Sequence, residues 1–236
     1  MVISRLKAFA KHRMTRHLVD RIEYEDKVSS HPVSKVFGLD RGTSIDRVLI
    51  ERFLSENSSL IVGDCLEIED PTYTNKFSQK GSVSHVLKYS PSNSPPKVKE
   101  IVADLTKPED FMEAKFDTLI ATQTLNFVFE LEPAVQSMHK LLKPGGSALI
   151  TAAGISQISR YDYDRWGDYW RFTDQSMRKI LARDFDPENI QVFTYGNVAL
   201  SCLFMQGISF EELPDKNLIN HVDPEYQMIV CAVARK

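Results

Sequence analysis

Five short apolar runs follow one another along the chain: LIVGDCLEI (60–68), SVSHVL (82–87), KEIVADL (99–105), FDTLIAT (116–122) and SALITAA (147–153). Runs rich in Val, Ile and Leu on both faces belong to strands covered on both sides, and strands joined by crossovers lie parallel. The expected fold is therefore α/β: a Rossmann-like, doubly wound, mostly parallel seven-stranded sheet with helices on both faces. ENIQVFTYG (188–196) and YQMIVCAVAR (226–235) complete it as a hairpin of edge strands that contributes an antiparallel edge strand, with an apolar helix over Val198–Gly207 between them.

Helix signals fill the intervals. Thr43 or Ser44 caps a helix carrying Ile45, Val48, Leu49, Ile50, Phe53 and Leu54 that stops near Asn57–Ser59. Pro133–Leu142 is a helix halted by Lys143-Pro144-Gly145-Gly146, and another runs from Thr173 to about Arg183. The Ser/Pro-rich stretch 88–97 reads as an exposed loop. Residues 1–28 carry Ile3, Leu6, Ala10, Met14, Leu18 and Ile22 at helical spacing among Arg5, Lys7, Lys11, Arg13 and Arg16. Two readings stand for that helix: a packing element with a solvated face, or peripheral membrane contact through residues 1–22. The chain thus divides into an N-terminal amphipathic helix, 1–30, and one domain, 31–236.

Composition removes several functions. With 29 Lys and Arg against 32 Asp and Glu, the net charge of −3 gives no chain-wide attraction to nucleic acid. Three cysteines without CxxC spacing suggest neither a disulfide framework nor zinc, and the chain reads as reduced and cytoplasmic. No cluster has metal-ligand spacing. No apolar run approaches the roughly 20 residues of a membrane span, and the charged opening MVISRLKAFAKHR is unlike a secretory leader. Neither GxGxxG nor GxxxxGK[ST] occurs, which weighs against NAD enzymes and P-loop hydrolases.

In a doubly wound sheet the ligand sits beyond the carboxyl ends of the strands. Those ends carry Glu67, Glu69 and Asp70, then His85, then Asp104-Leu105, then Gln123-Thr124-Leu125-Asn126. Clustered carboxylates accept from hydroxyls and amines and repel a pyrophosphate, so a positively charged adenosyl ligand fits better than a dinucleotide.

LEIED, VADL, FDTLIATQTL, and LLKPGG before a strand together resemble the class I S-adenosylmethionine-dependent methyltransferases. Over roughly residues 31–236, GLDRGTSIDR, LEIEDPTYT, TQTL, LLKPGG and GISQISRYDYDRWGDYWRFT resemble a subgroup of small methyltransferases encoded beside bacterial glycosyltransferases and surface-polysaccharide enzymes. The resemblance implies S-adenosylmethionine as cofactor, a saccharide or glycan-linked oxygen as acceptor, and a glycosyltransferase as partner. It places Glu67 as the acid of the first motif, Glu69, Asp70 and Tyr73 under the methionine half, Asp104 and Leu105 at adenine, and Gln123 and Thr124 facing the methyl donor. Arg41 has two readings, a fork on the cofactor carboxylate or a surface ion pair with Asp40 or Asp46. Asp104 likewise has the reading of a cap for the next element.

Two departures stand out. The turn 69–73 has no glycine, and His85 occupies the position eighteen past Glu67 where the family carries an acid for the ribose. They support a second hypothesis, a non-catalytic member of the fold that binds or scaffolds a glycosyltransferase; a third is a small-molecule methyltransferase outside glycan metabolism.

YDYDRWGDYWRF (161–172) holds both tryptophans of the chain. Aromatic faces beside carboxylates and guanidinia suit a sugar, so Tyr161, Tyr163, Trp166 and Arg171 are expected to bind the acceptor and Asp168 or Asp164 to take its proton. The competing reading has Trp170 and Phe172 anchoring the next helix and Asp168 paired with Arg171.

Overall fold

The alternation of apolar residues along the strands explains how one sheet carries two cores. The computed structural model describes residues 30–91 and 98–236, and the helix expected over 1–28 lies outside them. The chain divides into two units, Met1–Pro32 and Val33–Lys236. In the second, seven strands follow in chain order: β1 (Asp64–Ile68), β2 (Val83–Lys88), β3 (Lys99–Val102), β4 (Phe116–Thr122), β5 (Leu142–Ala153), β6 (Ile190–Tyr195) and β7 (Ile229–Arg235). They form one sheet in the order β3-β2-β1-β4-β5-β7-β6. The first five are mutually parallel; the reversal comes in the edge pair, where β7 runs antiparallel to both β5 and β6.

Leu66, Leu119, Ala148 and Ile150 point to one face, where α3 (Leu131–Leu141) supplies Ala134, Val135 and Met138, and α5 (Asp174–Leu181) supplies Met177 and Leu181. Cys65, Ile120, Leu149, Cys231 and Val233 point to the other, under Leu49, Ile50 and Phe53 of α1 (Ile45–Glu56) and Leu200 and Phe204 of α6 (Val198–Met205). Two short helices complete the set, α2 (Thr72–Phe77) after β1 and α4 (Arg160–Tyr163) after β5.

Local chemistry sets the boundaries. Thr173 and Ser176 form a reciprocal capping box at the start of α5. Ser44 holds the N-cap position of α1 but makes no capping bond through its side chain. The run from Leu60 starts as a strand only at Asp64, because Ser58–Leu60 is a 3-10 turn and Gly63 takes a left-handed φ of 64°. LLKPGG ends α3 at Leu141, yet β5 begins at once with Leu142. Lys143–Gly146 then bulges: Phe116 faces Leu142 while Thr118 faces Ser147. Pro144 has no N–H for a ladder and Gly145 is left-handed, so the motif interrupts pairing without a separate loop. Lys143 reaches back to Asp117 at 2.7 Å and Asp64 at 3.4 Å, fastening the amino ends of β5, β4 and β1.

The order β2-β1-β4-β5 places the topological switch between β1 and β4. The turns after those two strands frame the crevice where this architecture receives a ligand.

Candidate active site

The turn after β1 is held by one buried acid. Glu67, 2% exposed, accepts the amide N–H groups of Tyr73 at 3.0 Å and Thr74 at 2.7 Å, the first turn of α2. Burial pushes its carboxyl above the usual range, against those two amides, which favour the charged form. The other turn amides are also engaged: Glu69 on Leu87 O, Asp70 on Ile68 O and Thr72 on Asp70 Oδ1. Where a glycine-rich turn would bring its backbone to a ligand, this one offers the exposed carboxylates of Glu69 and Asp70. Glu69 itself sits at φ 72°, a left-handed conformation that glycine adopts without strain.

Across the switch, Gln123 follows β4 with φ 49°, also left-handed. Its N–H donates to Thr151 O at 2.8 Å, extending the β4–β5 ladder by one step, and its side-chain amide lies 3.4 Å from Thr151 Oγ1. Thr124 turns inward, donating from Oγ1 to Thr122 O at 3.3 Å. Asp104, just past β3, accepts from Thr106 N at 2.9 Å and Thr106 Oγ1 at 2.8 Å through Oδ1; Oδ2 has Lys107 Nζ at 3.8 Å. The capping role is therefore present, on one oxygen. Leu105 is in the core.

Four expected contacts lie elsewhere. His85 is buried at the amino-terminal half of β2, with Nε2 3.1 Å from Asp64, the first residue of β1, and its ring edge-on to Phe116. β2 runs three residues past it, so Lys88 and Tyr89 occupy the carboxyl end. Tyr73 is packed in the α1-side core against Phe77, its phenol receiving Arg47 at 2.6 Å. Arg41 grips Glu212 with two nitrogens, a partner 171 residues away and neither of the two expected. Asp168 is closed off: Arg171 forks onto both its oxygens and Ser159 N donates to Oδ2 at 2.9 Å, leaving the side chain 1% exposed.

The aromatic segment divides in two. Tyr161 is covered by Arg165 at 3.5 Å from its ring centre and Tyr163 by Arg160 at 4.7 Å, so each has one face occupied. Asp164 is an exposed partner of Arg160, and Trp166 donates its indole N–H to Asp162. Trp170 is pinned by its indole N–H on Val128 O at 3.1 Å. It stacks on Phe129 at 5.8 Å, and Tyr169 meets the same ring edge-on at 5.3 Å; all three remain exposed.

Three residues near these turns carry more than the sequence reading gives them. Asp46 and Arg47 open α1, whose amino end reaches the post-β1 turn through the Arg47–Tyr73 bond. Burial holds the Asp46 carboxyl above its ordinary range. Asn126, in the post-β4 turn, is buried and bonds in three directions. Their only signal was position: first helical turn for the pair, strand end for the amide.

This donor set can accept from amines and hydroxyls: the turn amides are spent, and Glu69, Asp70, Asp104 and Asp46 present carboxyl groups beside the cations Arg47, Lys88 and Lys107. A family model described as "Methyltransferase domain" matches residues 77–150, about a third of the chain. No curated protein matches the sequence. Among solved structures, a SAM-dependent methyltransferase from Archaeoglobus fulgidus is 11% identical with a TM-score of 0.54 over 80% of this chain and 94% of that one. One from Thermotoga maritima is 16% identical with a TM-score of 0.51 over 81% and 93%. The [4+2]-cyclase SpnF is 17% identical with a TM-score of 0.52 over 87% and 86%.

The fold is thus that of the class I methyltransferases. The match of a methyltransferase-domain model over residues 77–150 agrees with that fold. Among the described residues no helix is long and apolar enough to cross a membrane, and no group of His, Cys, Asp and Glu is arranged to hold a metal.

Proposed function

We propose that this chain methylates a hydroxyl oxygen of a saccharide or glycan-linked acceptor. The observation that carries the reading is that two of the four left-handed non-glycine residues among those described, Glu69 and Gln123, lie at the two turns framing the switch point. Such backbone costs on the order of 1–3 kcal/mol and persists where the surroundings over-determine it, commonly at functional sites.

When bound, S-adenosylmethionine supplies an electrophilic methyl group to an in-line nucleophile. Asp104, through Oδ2, would accept from the adenine amine; Glu69 and Asp70 would face the ammonium and Arg47 the carboxylate. Gln123 and Thr124 would border the side from which the acceptor arrives. The protein then has to align the acceptor oxygen and remove its proton. With Asp168 locked and Asp164 at the surface, Asp46 is the carboxyl we assign to that proton: it is half-buried, and burial raises its affinity for a proton. The exposed Phe129–Tyr169–Trp170 surface, following β4 and β5, supports a ring with an apolar face as acceptor. Association with a glycosyltransferase belongs to the same reading.

The spent amides of the post-β1 turn and the missing acid at the end of β2 favour a second reading, a non-catalytic scaffold of the same fold. Calorimetric titration with S-adenosylmethionine separates the two. Binding is expected; no heat at millimolar ligand with folded protein rejects the enzyme. Release of S-adenosylhomocysteine on incubation with saccharides then tests the acceptor, and turnover only with amines or phenols moves it outside glycan chemistry.

A further inference from the structure

Asn126 stands where three parts of the cleft meet. Its Oδ1 accepts the Ala153 N–H at 3.2 Å, at the carboxyl end of β5. Its Nδ2 donates to Gln123 Oε1 over a long 3.5 Å. Its main-chain carbonyl accepts the N–H groups of Tyr169 at 2.9 Å and Trp170 at 3.2 Å. β4 has already turned away at Gln123, since its last pairing is Thr122 with Thr151. The Asn126 side chain therefore satisfies a β5 amide that the neighbouring strand has abandoned. An amide side chain is suited to this, because it accepts from a backbone N–H and donates to a side-chain oxygen together. At 2% exposure each of these groups depends on its protein partner.

The consequence is mechanical. Gln123 lies on the cofactor side with a strained backbone; Tyr169 and Trp170 lie on the acceptor side and stack on Phe129. A shift of Gln123 reaches Asn126 through its side chain and leaves through its carbonyl to the aromatic segment.

We propose that Asn126 is a positioning residue that couples cofactor occupancy at Gln123 to the placement of Tyr169 and Trp170 against the acceptor. This rests on the cleft being an S-adenosylmethionine site and adds an order to it: the acceptor surface is set once the cofactor is in place. Coupling of this kind is reciprocal, so acceptor binding tightens the cofactor in turn.

Trp166 and Trp170 are the only tryptophans in the chain, so indole emission reports this segment directly. Titrating the full chain with S-adenosylhomocysteine, by calorimetry and fluorescence together, is expected to give binding heat and an emission shift. At saturating ligand, where affinity no longer matters, Asn126→Ala and Gln123→Ala should each reduce that shift to less than about half, and the double variant should lose no more than either single one. A full shift in folded, saturated Asn126→Ala overturns the coupling; should that variant fail to fold, a full shift in Gln123→Ala does so alone. Heat without any shift in the unaltered protein also overturns it while leaving the cofactor reading intact. No heat in the unaltered protein overturns both.

Discussion

Arg171 holds Asp168 at two points, Nη1 to Oδ1 at 2.5 Å and Nη2 to Oδ2 at 3.0 Å. The same guanidinium donates to Gln157 O at 2.7 Å and Ser156 O at 3.4 Å, so one residue fastens both ends of the loop that follows β5. Asp168 reads as the keystone of that loop rather than as a proton acceptor.

Asp168→Asn should accordingly lower unfolding free energy by about 2 kcal/mol, since it removes one arm of a charge-assisted fork and leaves the guanidinium under-compensated. Arg171→Lys should cost a similar amount, because a point ammonium cannot span two carboxylate oxygens and two carbonyls. Urea melts measure both. Unaltered melts with methyl transfer abolished in Asp168→Asn would return this carboxyl to the chemistry.

Asp104 divides its two oxygens between a turn and the cleft, which lets one substitution separate the roles. Asp104→Asn can keep its carbonyl oxygen on Thr106 while its new amide group can no longer accept from an adenine amine. Affinity for S-adenosylmethionine is expected to fall about tenfold, the equivalent of roughly 1.4 kcal/mol, with little change in thermal stability. A variant that binds as tightly as the parent would take Asp104 out of the cofactor site.

Glu69 makes opposite demands on stability and binding. Glu69→Gly relieves a left-handed residue and should raise Tm by about 2 °C, the scale of a 0.5–1 kcal/mol gain in a chain of this size. The same change removes a carboxylate from the ligand's ammonium, so affinity should drop. Differential scanning fluorimetry with and without S-adenosylhomocysteine reads both effects; a gain in stability with a gain in affinity would mean the carboxylate has no ligand.

Much of the architecture was legible because burial on both faces writes itself into consecutive residues: Leu119 and Ile120 serve opposite cores, and the run around them admits no other reading. Strand ends were less legible, and the site depends on them. The eighteen-residue distance from Glu67 puts His85 at a strand end, whereas β2 continues to Lys88, and three residues move a side chain from one end of the sheet toward the other. Partners distant in sequence were out of reach altogether: nothing near Arg41 points to Glu212, although the alternative of an ion pair was open. The closure of Asp168 was half visible, since Arg171 lies three residues on, but the third donor, Ser159 N, comes from before α4. The bridging role of Asn126 was hidden for another reason. A polar residue after a strand is ordinary, and only the geometry of β5 shows that its amide replaces a missing strand.

The Arg41–Glu212 pair joins the segment before α1 to the turn at Ser209, where Glu212 also accepts from Ser209 N and Oγ. Arg41 and these donors hold the Glu212 carboxyl down to about 2 from an ordinary 4.5. A folded value below the unfolded one contributes stability that is complete above the unfolded value and disappears as pH falls through the folded one. The Tm difference between the parent and Glu212→Gln should therefore be constant from neutral pH to about 5 and close between about 4.5 and 2. Because both side chains are partly exposed, salt should shrink the same difference at neutral pH. A gap that survives at the acid end would show that the glutamine variant loses packing or hydrogen bonding there rather than the charge pair.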